Sequence, residues 1–599
     1  MAALWSRALV CALFSMSPLV AVTAHAAPLT EQQIKMKEAE QKFAALKQKF
    51  LIGVWQTDPD MALYAGKFTQ AEKLAIPTQA RRDNYLKFAN YWLEQLARVD
   101  LSQLSAKEQT DLVLMQNYLK GNVWYISQFR DYEWNPSLYN VAGGFDTILN
   151  TEFAPKSVRI KLAIKRLQAV PAYYQTARDN LKDPTLEHTR LALRQLPGVS
   201  GVFDNLAKSA AEIKLSASEQ AMLTQNMQAA RAAVSDYQNY LKQSEEKLVA
   251  GTARSFRIGK ALYEGKFKAD IQSDLSAEAT YQKALEAKEA NLQNMEKLAD
   301  QLWSKVMGEQ AKPNDRLQKI AAVIAKLSEQ HVAAKDFVSE IRRQIPQLEK
   351  WIKDKDLLTI DSKKPLVVRE TPIYQRGIAG ASIEAPGVFR PNDKTYYNVT
   401  PLEDENGGNA EQIESTLREY NQWVLQILNI HEAIPGHYTQ LQHANRSPSV
   451  IKALLGNGAM IEGWAVYSER MMMESGYGGN TPEMWLMYYK WNLRAICNTI
   501  LDYSVHVLNM SEKDAKDLLI NQAFQTQAEA DGKWNRVQYT SVQLSSYFSG
   551  YADIMDFREQ VKQQMGDKFK LKDFHEQFLS YGSAPVAQIK YLMLNPDKN

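Results

Sequence analysis

The stretch ILNIHEAIPGHYTQLQH, residues 427–443, holds three of the eight histidines of the chain. It begins like the zinc-site signature H-E-x-x-H, in which two histidines four residues apart share one face of a helix. Here His431 and His437 are six residues apart, which is about 240° around an unbroken helix. The stretch therefore predicts either a metal site on a distorted helix or a helix that carries unrelated histidines.

Pro435 and Gly436 lie between the two histidines, where two extra residues must be absorbed. Pro435 has no N–H to donate to the carbonyl of His431, and Gly436 adopts backbone angles that other residues resist. The pair therefore favours a widened or broken helix, and a π-like bulge is the expected device. The bulge would return His437 toward His431, and Glu432 would be the general base toward a metal-activated water.

A third ligand is available in the next helical stretch, NGAMIEGWAVYSERMMME. Glu462 lies there among apolar residues, where an unpaired carboxylate is costly. His431, His437 and Glu462 would supply three ligands to one zinc ion and leave a fourth position open. Gly463 would permit the close approach of a neighbouring helix. Glu469 is either an acceptor that orients a ligand histidine or a plain surface acid.

A polar stripe runs along the following, otherwise apolar helical stretch. Its members recur every four residues, and they are Arg494, Asn498, Asp502 and His506. Polar groups on a buried helix must face water, a ligand or a hydrogen-bonded network. The stripe therefore predicts either a cleft wall or a satisfied network between helices. On a cleft wall, His506 would stabilise an oxyanion, Asp502 would fix its tautomer, and Arg494 would contact substrate.

A later stretch, SYFSGYADIMDFREQ, places Tyr547, Gly550 and Arg558 on one predicted helix. A tyrosine hydroxyl is a suitable donor to an oxyanion, and an arginine is a suitable partner for the terminal carboxylate of a peptide. Tyr547 and Arg558 are therefore candidates for these two roles, although aromatic residues at helical spacing also occur in cores.

The composition of the 599-residue chain is that of a globular protein, with 45% hydrophobic and 23% charged residues. Residues 1–26 combine one charge, Arg7, with an apolar run and a terminal Ala-His-Ala. They predict a signal peptide cut before Ala27, and hence a periplasmic or secreted protein without a membrane span. Cleavage would remove Cys11 and leave Cys497 alone, which excludes an intramolecular disulfide. The small net charge predicts no nucleic-acid partner.

Helical periodicity dominates both ends of the chain. The predicted helical segments of the first part are 29–53, 80–130, 157–182, 206–250, 277–306 and 314–355. Ser216 and Glu219 form a capping box in one of them. From residue 411 onward the pattern is helical again, with breaks predicted near 445–449, 475–482, 509–511 and 530–536.

The segment after residue 361 is rich in Gly, Pro, β-branched and aromatic residues, so it predicts several short strands. A strand edge beside the histidine stretch could hold an extended peptide by main-chain hydrogen bonds. The predicted architecture is a mostly α protein with one small sheet before the metal-binding helix. We divide it into a helical region, 27–360, and a β-plus-helical catalytic region, 361–599, which together form one unit.

The combined motifs resemble the DUF885 family, grouped with the zincin-like metallopeptidases. They are HEAIPGHYTQ, then EGWAVYSER, then an Asp-x-x-x-His pair, then Tyr-x-x-Gly with an Arg eight residues later. The resemblance covers most of the mature chain and implies a large, multi-helix zincin-like fold with a deep cleft. It implies His431, His437 and Glu462 as zinc ligands and Glu432 as the base. It also marks four further positions, Asp502, His506, Tyr547 and Arg558.

The leading hypothesis is a zinc-dependent peptidase that acts on short peptides, in a carboxypeptidase- or oligopeptidase-like manner. Glu432 would be the base, and His506 or Tyr547 would donate to the oxyanion. One alternative is a metal-dependent hydrolase of a non-peptide amide or a cell-wall peptide. Another is a catalytically inactive helical binding protein. The oligomeric state does not follow from the sequence.

Overall fold

The computed structural model of the protein describes residues 30–361, 366–372, 380–402, 410–447 and 449–595. This part of the chain is mostly helical and contains one small sheet, as predicted. None of its helices is long and apolar enough to cross a membrane. The predicted signal peptide lies outside the described residues.

Several of the helices that precede the sheet begin at a polar side-chain cap, and the Ser216–Glu219 capping box is confirmed. The predicted segments 80–130, 157–182 and 314–355 each contain two successive helices. The helices are α1 (Glu31–Thr57), α2 (Pro59–Tyr64), α3 (Gln79–Ala97), α4 (Ala106–Trp124), α5 (Ala142–Asn150), α6 (Lys156–Leu167), α7 (Val170–Asn180), α8 (Leu186–Ala211), α9 (Ala217–Lys247), α10 (Gly259–Asp270), α11 (Ala277–Met307), α12 (Arg316–Leu327) and α13 (Phe337–Asp354).

The sheet has three strands, β1 (Leu366–Glu370), β2 (Ala381–Glu384) and β3 (Thr395–Val399). The spatial order is β1-β3-β2, with β3 parallel to β1 and antiparallel to β2. Tyr397 of β3 is fully buried and donates a hydrogen bond of 3.0 Å to Asn429 Oδ1. The sheet therefore supports the helical turn that leads to His431.

The helices that follow the sheet confirm the breaks predicted at 445–449, 475–482 and 509–511. The break predicted at 530–536 is wrong, because a continuous helix spans that segment despite its Gly and Asn. The helices are α14 (Ala410–Glu419), α15 (Val424–Glu432), α16 (His437–Ala444), α17 (Val450–Leu454), α18 (Gly458–Glu474), α19 (Pro482–His506), α20 (Glu512–Asp517), α21 (Gln527–Tyr539), α22 (Ser545–Met565), α23 (Leu571–Ser580) and α24 (Val586–Leu594).

The largest apolar core crosses the boundary that we placed at residue 360. Phe50 and Met115 belong to it from the first region, and Trp464 and Leu493 belong to it from the second. A second core lies within the first region, among helices α5 to α9. Residues of both regions are thus buried together around the helices that carry the histidine stretch.

Helices α18 and α22 approach each other closely at two glycines, Gly463 and Gly550. A Cβ atom on Gly463 would lie 2.3 Å from the carbonyl carbon of Gly550, and one on Gly550 would lie 1.8 Å from the carbonyl oxygen of Ala459. Real Cβ atoms do not make such contacts, so both positions require glycine. This approach places Glu462 of α18 one residue from the contact, and Tyr547 of α22 one turn from it.

A buried ion cluster joins α4 of the first region to α17 of the second. The Asp111 carboxylate pairs with Lys452, and Ser449 Oγ donates to it at 2.7 Å. Lys47 of α1 adds a contact of 2.7 Å with the same carboxylate. Asp111 and Lys452 are almost fully buried. Because a buried charge is tolerated only with a partner, each of the two depends on the other.

We predict that Asp111→Ala lowers the free energy of unfolding by about 3–5 kcal/mol, because it leaves Lys452 buried and unpaired. Glu108→Ala is the matched control. Glu108 binds the same Lys47 at a more exposed position, so its removal should cost about 0–1 kcal/mol. Urea unfolding followed by tryptophan fluorescence measures both. Equal losses of unfolding free energy in the two variants would contradict the mutual dependence of Asp111 and Lys452. Adding Lys452→Met to Asp111→Ala should restore part of the lost free energy.

Candidate metal centre

The helix of the histidine stretch breaks between the two histidines. α15 ends at Glu432 and α16 begins at His437, and a cis peptide bond joins Ile434 to Pro435. The expected π-like bulge is wrong, because Ala433 (φ −105°, ψ −90°) and Gly436 (φ −69°, ψ −131°) leave the helical region altogether. The chain thus absorbs the two extra residues in a short non-helical turn.

Gly436 makes this turn possible through a close backbone contact. A Cβ atom at this position would lie 1.8 Å from the carbonyl oxygen of His431 and 2.4 Å from that of Ile430. The Gly436 N–H donates a hydrogen bond of 2.9 Å to the Ile430 carbonyl. The buried Trp464 of α18 donates its indole N–H to the Pro435 carbonyl at 2.9 Å. The turn is therefore fixed both to its own helix and to the helix of Glu462.

Three side chains converge beside this turn, namely His431, His437 and Glu462. The Glu462 Oε2 atom lies 3.7 Å from His431 Nε2 and 3.4 Å from His437 Nε2. One ligand atom from each residue lies within 4.8 Å of the other two. Two ligands of a tetrahedral zinc ion are roughly 3.3 Å apart. The spacing and the donor set of two imidazoles and one carboxylate therefore fit one zinc ion after small side-chain adjustments.

Glu469 orients the first histidine. His431 Nδ1 donates a hydrogen bond of 2.6 Å to Glu469 Oε1, and the Glu469 side chain is completely buried. This bond leaves Nε2 directed at Glu462, which is the arrangement that metal-ligating histidines usually have. Burial disfavours the charged imidazole, but the neighbouring carboxylates of Glu462 and Glu469 outweigh this effect and raise the pKa of His431 to about 10.

Glu432 carries a carboxylate oxygen without a partner. Its side chain is buried, and its Oε2 has no hydrogen bond within the described residues. The Oε2 of Glu462 is in the same situation. Because a buried carboxylate is costly unless it is paired, two such oxygens beside two imidazoles favour a cation or a polar ligand at this place.

A cavity of about 360 Å³ opens in front of His431 and Glu432. Tyr547 lies in its wall, and its ring stacks on His431 with a centroid distance of 6.3 Å. Arg494 and Asn498 of the predicted polar stripe also line it. Ala381, at the start of the edge strand β2, forms another part of the wall.

The other half of the polar stripe lies elsewhere. His506 is buried, and its Nε2 contacts the carbonyl oxygens of Val537 and Thr540, both at 2.9 Å. Burial lowers the pKa of His506 to about 4 and raises that of Asp502 to about 7. Neither residue lines the cavity. This half of the stripe therefore lies away from the cavity. It is not a fully satisfied network either, because both carboxylate oxygens of Asp502 and Nδ1 of His506 have no hydrogen-bond partner among the described residues.

Arg558 was expected to contact a substrate carboxylate, and its position contradicts this. Its guanidinium pairs with Glu474 at 2.7 Å and with Glu559 at 2.9 Å. Glu474 follows Glu462 by twelve residues on α18, which is about 18 Å along the axis. Arg558 thus ties α22 to the far end of α18. His443, whose role the sequence left open, faces the Thr359 carbonyl at 3.4 Å.

Sequence reasoning missed the charged residues of α21. The ones that line the cavity are Glu529, Lys533 and Arg536. Their spacing of four and three residues was the available signal, because such positions share one face of a helix. The break that we predicted at 530–536 concealed this signal. Arg536 Nη2 donates a hydrogen bond of 2.9 Å to the Tyr547 hydroxyl oxygen.

Comparisons with known proteins agree with the motif pattern. A sequence profile described as "Bacterial protein of unknown function (DUF885)" matches residues 59–593. A structure from Shewanella oneidensis, described as "a putative lipoprotein of unknown function", is similar with a TM-score of 0.82 and 50% identity, over 92% of this chain and 99% of that chain. A Colwellia psychrerythraea "putative lipoprotein" is similar in fold, with a TM-score of 0.75 at 17% identity, over 94% of this chain and 100% of that chain. Among curated proteins, none matches this chain.

We predict that Gly436→Ala destabilises the protein by about 2 kcal/mol or more, because the methyl group would overlap the His431 carbonyl. Gly201→Ala is the control, since a Cβ atom there meets nothing within 4 Å and the position lies on the exposed side of α8. The Gly201→Ala variant should be as stable as the wild type or slightly more stable. Calorimetric unfolding compares the two, and an unaffected Gly436→Ala would contradict the turn geometry.

Proposed function

The chain belongs to the DUF885 family, and we propose that it is a zinc-dependent peptidase that hydrolyses short peptides. The observation that carries this proposal is the convergence of His431, His437 and Glu462 next to Glu432, whose Oε2 has no hydrogen-bond partner within the described residues. Three protein ligands and an adjacent acid are the composition of a zincin-type catalytic site. We further propose that the protein works outside the cytoplasm, as its first 26 residues predict.

The two histidines and Glu462 would hold the ion and leave one coordination position open toward the cavity. Zinc bound there would lower the pKa of a water molecule and polarise a carbonyl group. Glu469 contributes indirectly, because its hydrogen bond keeps the Nε2 lone pair of His431 available as a ligand.

Glu432 would be the group that moves the proton. It follows His431 directly in the chain, its residue lines the same cavity, and its Oε2 has no hydrogen-bond partner within the described residues. In the proposed reaction, Glu432 accepts a proton from the attacking water as the new C–O bond forms. It then delivers this proton to the leaving nitrogen as the amide C–N bond breaks, so that a carboxylate and an amine result.

Tyr547 is the donor that the structure favours for the oxyanion. Burial raises the pKa of Tyr547, so the hydroxyl keeps its proton. Because the hydroxyl oxygen accepts a hydrogen bond from Arg536, its own hydrogen is free to point into the cavity. A donor fixed in this way stabilises negative charge on the substrate oxygen without reorganisation. His506 is committed to backbone carbonyls and has no part in this step.

The size and walls of the cavity favour a short, extended substrate. A volume of about 360 Å³ admits a few residues and excludes a folded protein. Ala381 in the wall belongs to β2, which has β3 as its one neighbour among the described strands. An edge strand can form main-chain hydrogen bonds with a peptide, and these bonds do not depend on the side chains of the peptide.

We predict that the purified protein binds one zinc ion per chain. His431→Ala and His437→Ala should abolish binding, and Glu469→Gln should weaken it by about 10- to 100-fold at unchanged stoichiometry. His443→Ala is the matched control, because this third histidine of the stretch points away from the cluster. Elemental analysis and competition with a chromophoric chelator measure stoichiometry and affinity. No uptake at micromolar zinc would refute the site.

We predict that Glu432→Gln lowers kcat for peptide hydrolysis by about 10²- to 10⁴-fold, because the amide cannot accept the proton. Zinc content should stay at the wild-type level, which separates loss of the base from loss of the metal. His443→Ala again serves as the control. A zinc-loaded wild type that cleaves no member of a peptide library would reject the peptidase assignment in favour of another hydrolase or a binding protein.

A further inference from the structure

Lys533 differs from the other buried lysines that the structure describes. Lys319 and Lys490 bind carboxylates at 2.9 and 2.7 Å, and Lys452 pairs with Asp111. The Lys533 side chain is only 4% exposed, yet its nearest acidic oxygen belongs to Glu529, 4.0 Å away. That distance is too long for a hydrogen bond.

Glu529 cannot be counted as the partner of Lys533. The same Oε1 atom already binds Arg494 Nη2 at 2.5 Å, so one carboxylate stands between two cations. Burial, together with the neighbouring Arg494, drives the pKa of Lys533 well below its usual value. Within the described residues no carboxylate forms a hydrogen bond with this amine, so an anion that enters the cavity would stabilise its ammonium form.

Arg536 is a second cation of this wall without a carboxylate of its own. Its Nη2 donates to two neutral groups, Tyr547 and Gln543, both at 2.9 Å. Its Nε is buried and has no hydrogen-bond partner among the described residues. Lys533 and Arg536 are three residues apart on α21, so they project from the same face of the helix.

We infer that Lys533 and Arg536 form a carboxylate-binding subsite that receives the C-terminus of a peptide, so that the enzyme removes residues from that end. The inference rests on the proposed peptidase function. The subsite lies in the wall of the cavity that also contains His431 and Glu432. Planar guanidinium and ammonium donors are the groups that recognise a terminal carboxylate.

A second cavity has Glu462 in its lining and could receive the part of the peptide that precedes its C-terminus. It has a volume of about 600 Å³, and the amides of Asn117, Gln272 and Asn457 also line it. Its lysine, Lys266, is already paired with Asp270. His431 thus lines the cavity that contains Lys533 and Arg536, and Glu462 lines the cavity whose lysine is already paired. This difference favours a substrate with its C-terminus toward α21.

The test compares peptides that differ only in a free or an amidated C-terminus. For the wild type, kcat/KM should be at least about tenfold higher for the free acid, since a buried charge-assisted hydrogen bond is lost in the amide. In Lys533→Met this ratio should fall toward one. Lys516→Met is the matched control, because Lys516 binds Asp531 on the outer face of α21. Its ratio should equal that of the wild type.

Two further measurements separate a failure of the carboxylate subsite from a failure of the peptidase function. Amidated peptides with an acidic side chain near the C-terminus test the other source of a carboxylate, and their preferential cleavage would overturn the terminal assignment. Calorimetric binding of free-acid and amidated peptides to zinc-loaded Glu432→Gln requires no turnover. If no peptide is hydrolysed but the free acids still bind more tightly than the amides, the peptidase function is refuted and the subsite is not. Equal binding and equal cleavage of acids and amides, or an unchanged ratio in a folded Lys533→Met, would refute the subsite.

Discussion

The contact between the Gly436 backbone and the carbonyl of His431 is the constraint around which the site is arranged. Two residues too many separate the histidines for a regular helix, and the chain solves this by ending one helix and starting another. The turn is held on one side by the Ile430 carbonyl and on the other by the indole of Trp464. Because Trp464 follows Glu462 by two residues, the same helix carries the third candidate ligand and supports the turn between the two histidines.

Much of this arrangement could be predicted because it depends on local chemistry. The Pro-Gly pair, the carboxylate among apolar residues and the β-rich segment each carry a short-range signal. The form of the turn could not be predicted, since a bulge and a break satisfy the same spacing. Arg558 and His506 were misjudged for another reason. A pattern shows which residues share a helix face, whereas the partner of that face depends on tertiary packing that brings Glu474 or the Thr540 carbonyl into reach.

The acidic and basic side chains of the cavity are distributed unevenly, and this distribution would orient a bound ligand. The acids Glu432, Glu462 and Glu469 lie with the two imidazoles, where a divalent cation would balance them. Lys533 and Arg536 line the same cavity as His431 and Glu432, and neither forms a hydrogen bond with a carboxylate of the described residues. Each group of charges is costly alone in a buried place. One ligand could balance both groups of charges. It would have a polarisable bond near the acids and an anionic end near Lys533 and Arg536.

Helix α21 supplies none of the candidate metal ligands, which come from α15, α16 and α18. The part of the fold that would select a substrate is therefore separate from the part that would perform chemistry. Substitutions at Lys533 can change the charge presented to a ligand without moving a histidine or the turn at Gly436. Such a division would let substitutions in one helix alter the preferred substrate while the remainder of the centre stays unchanged.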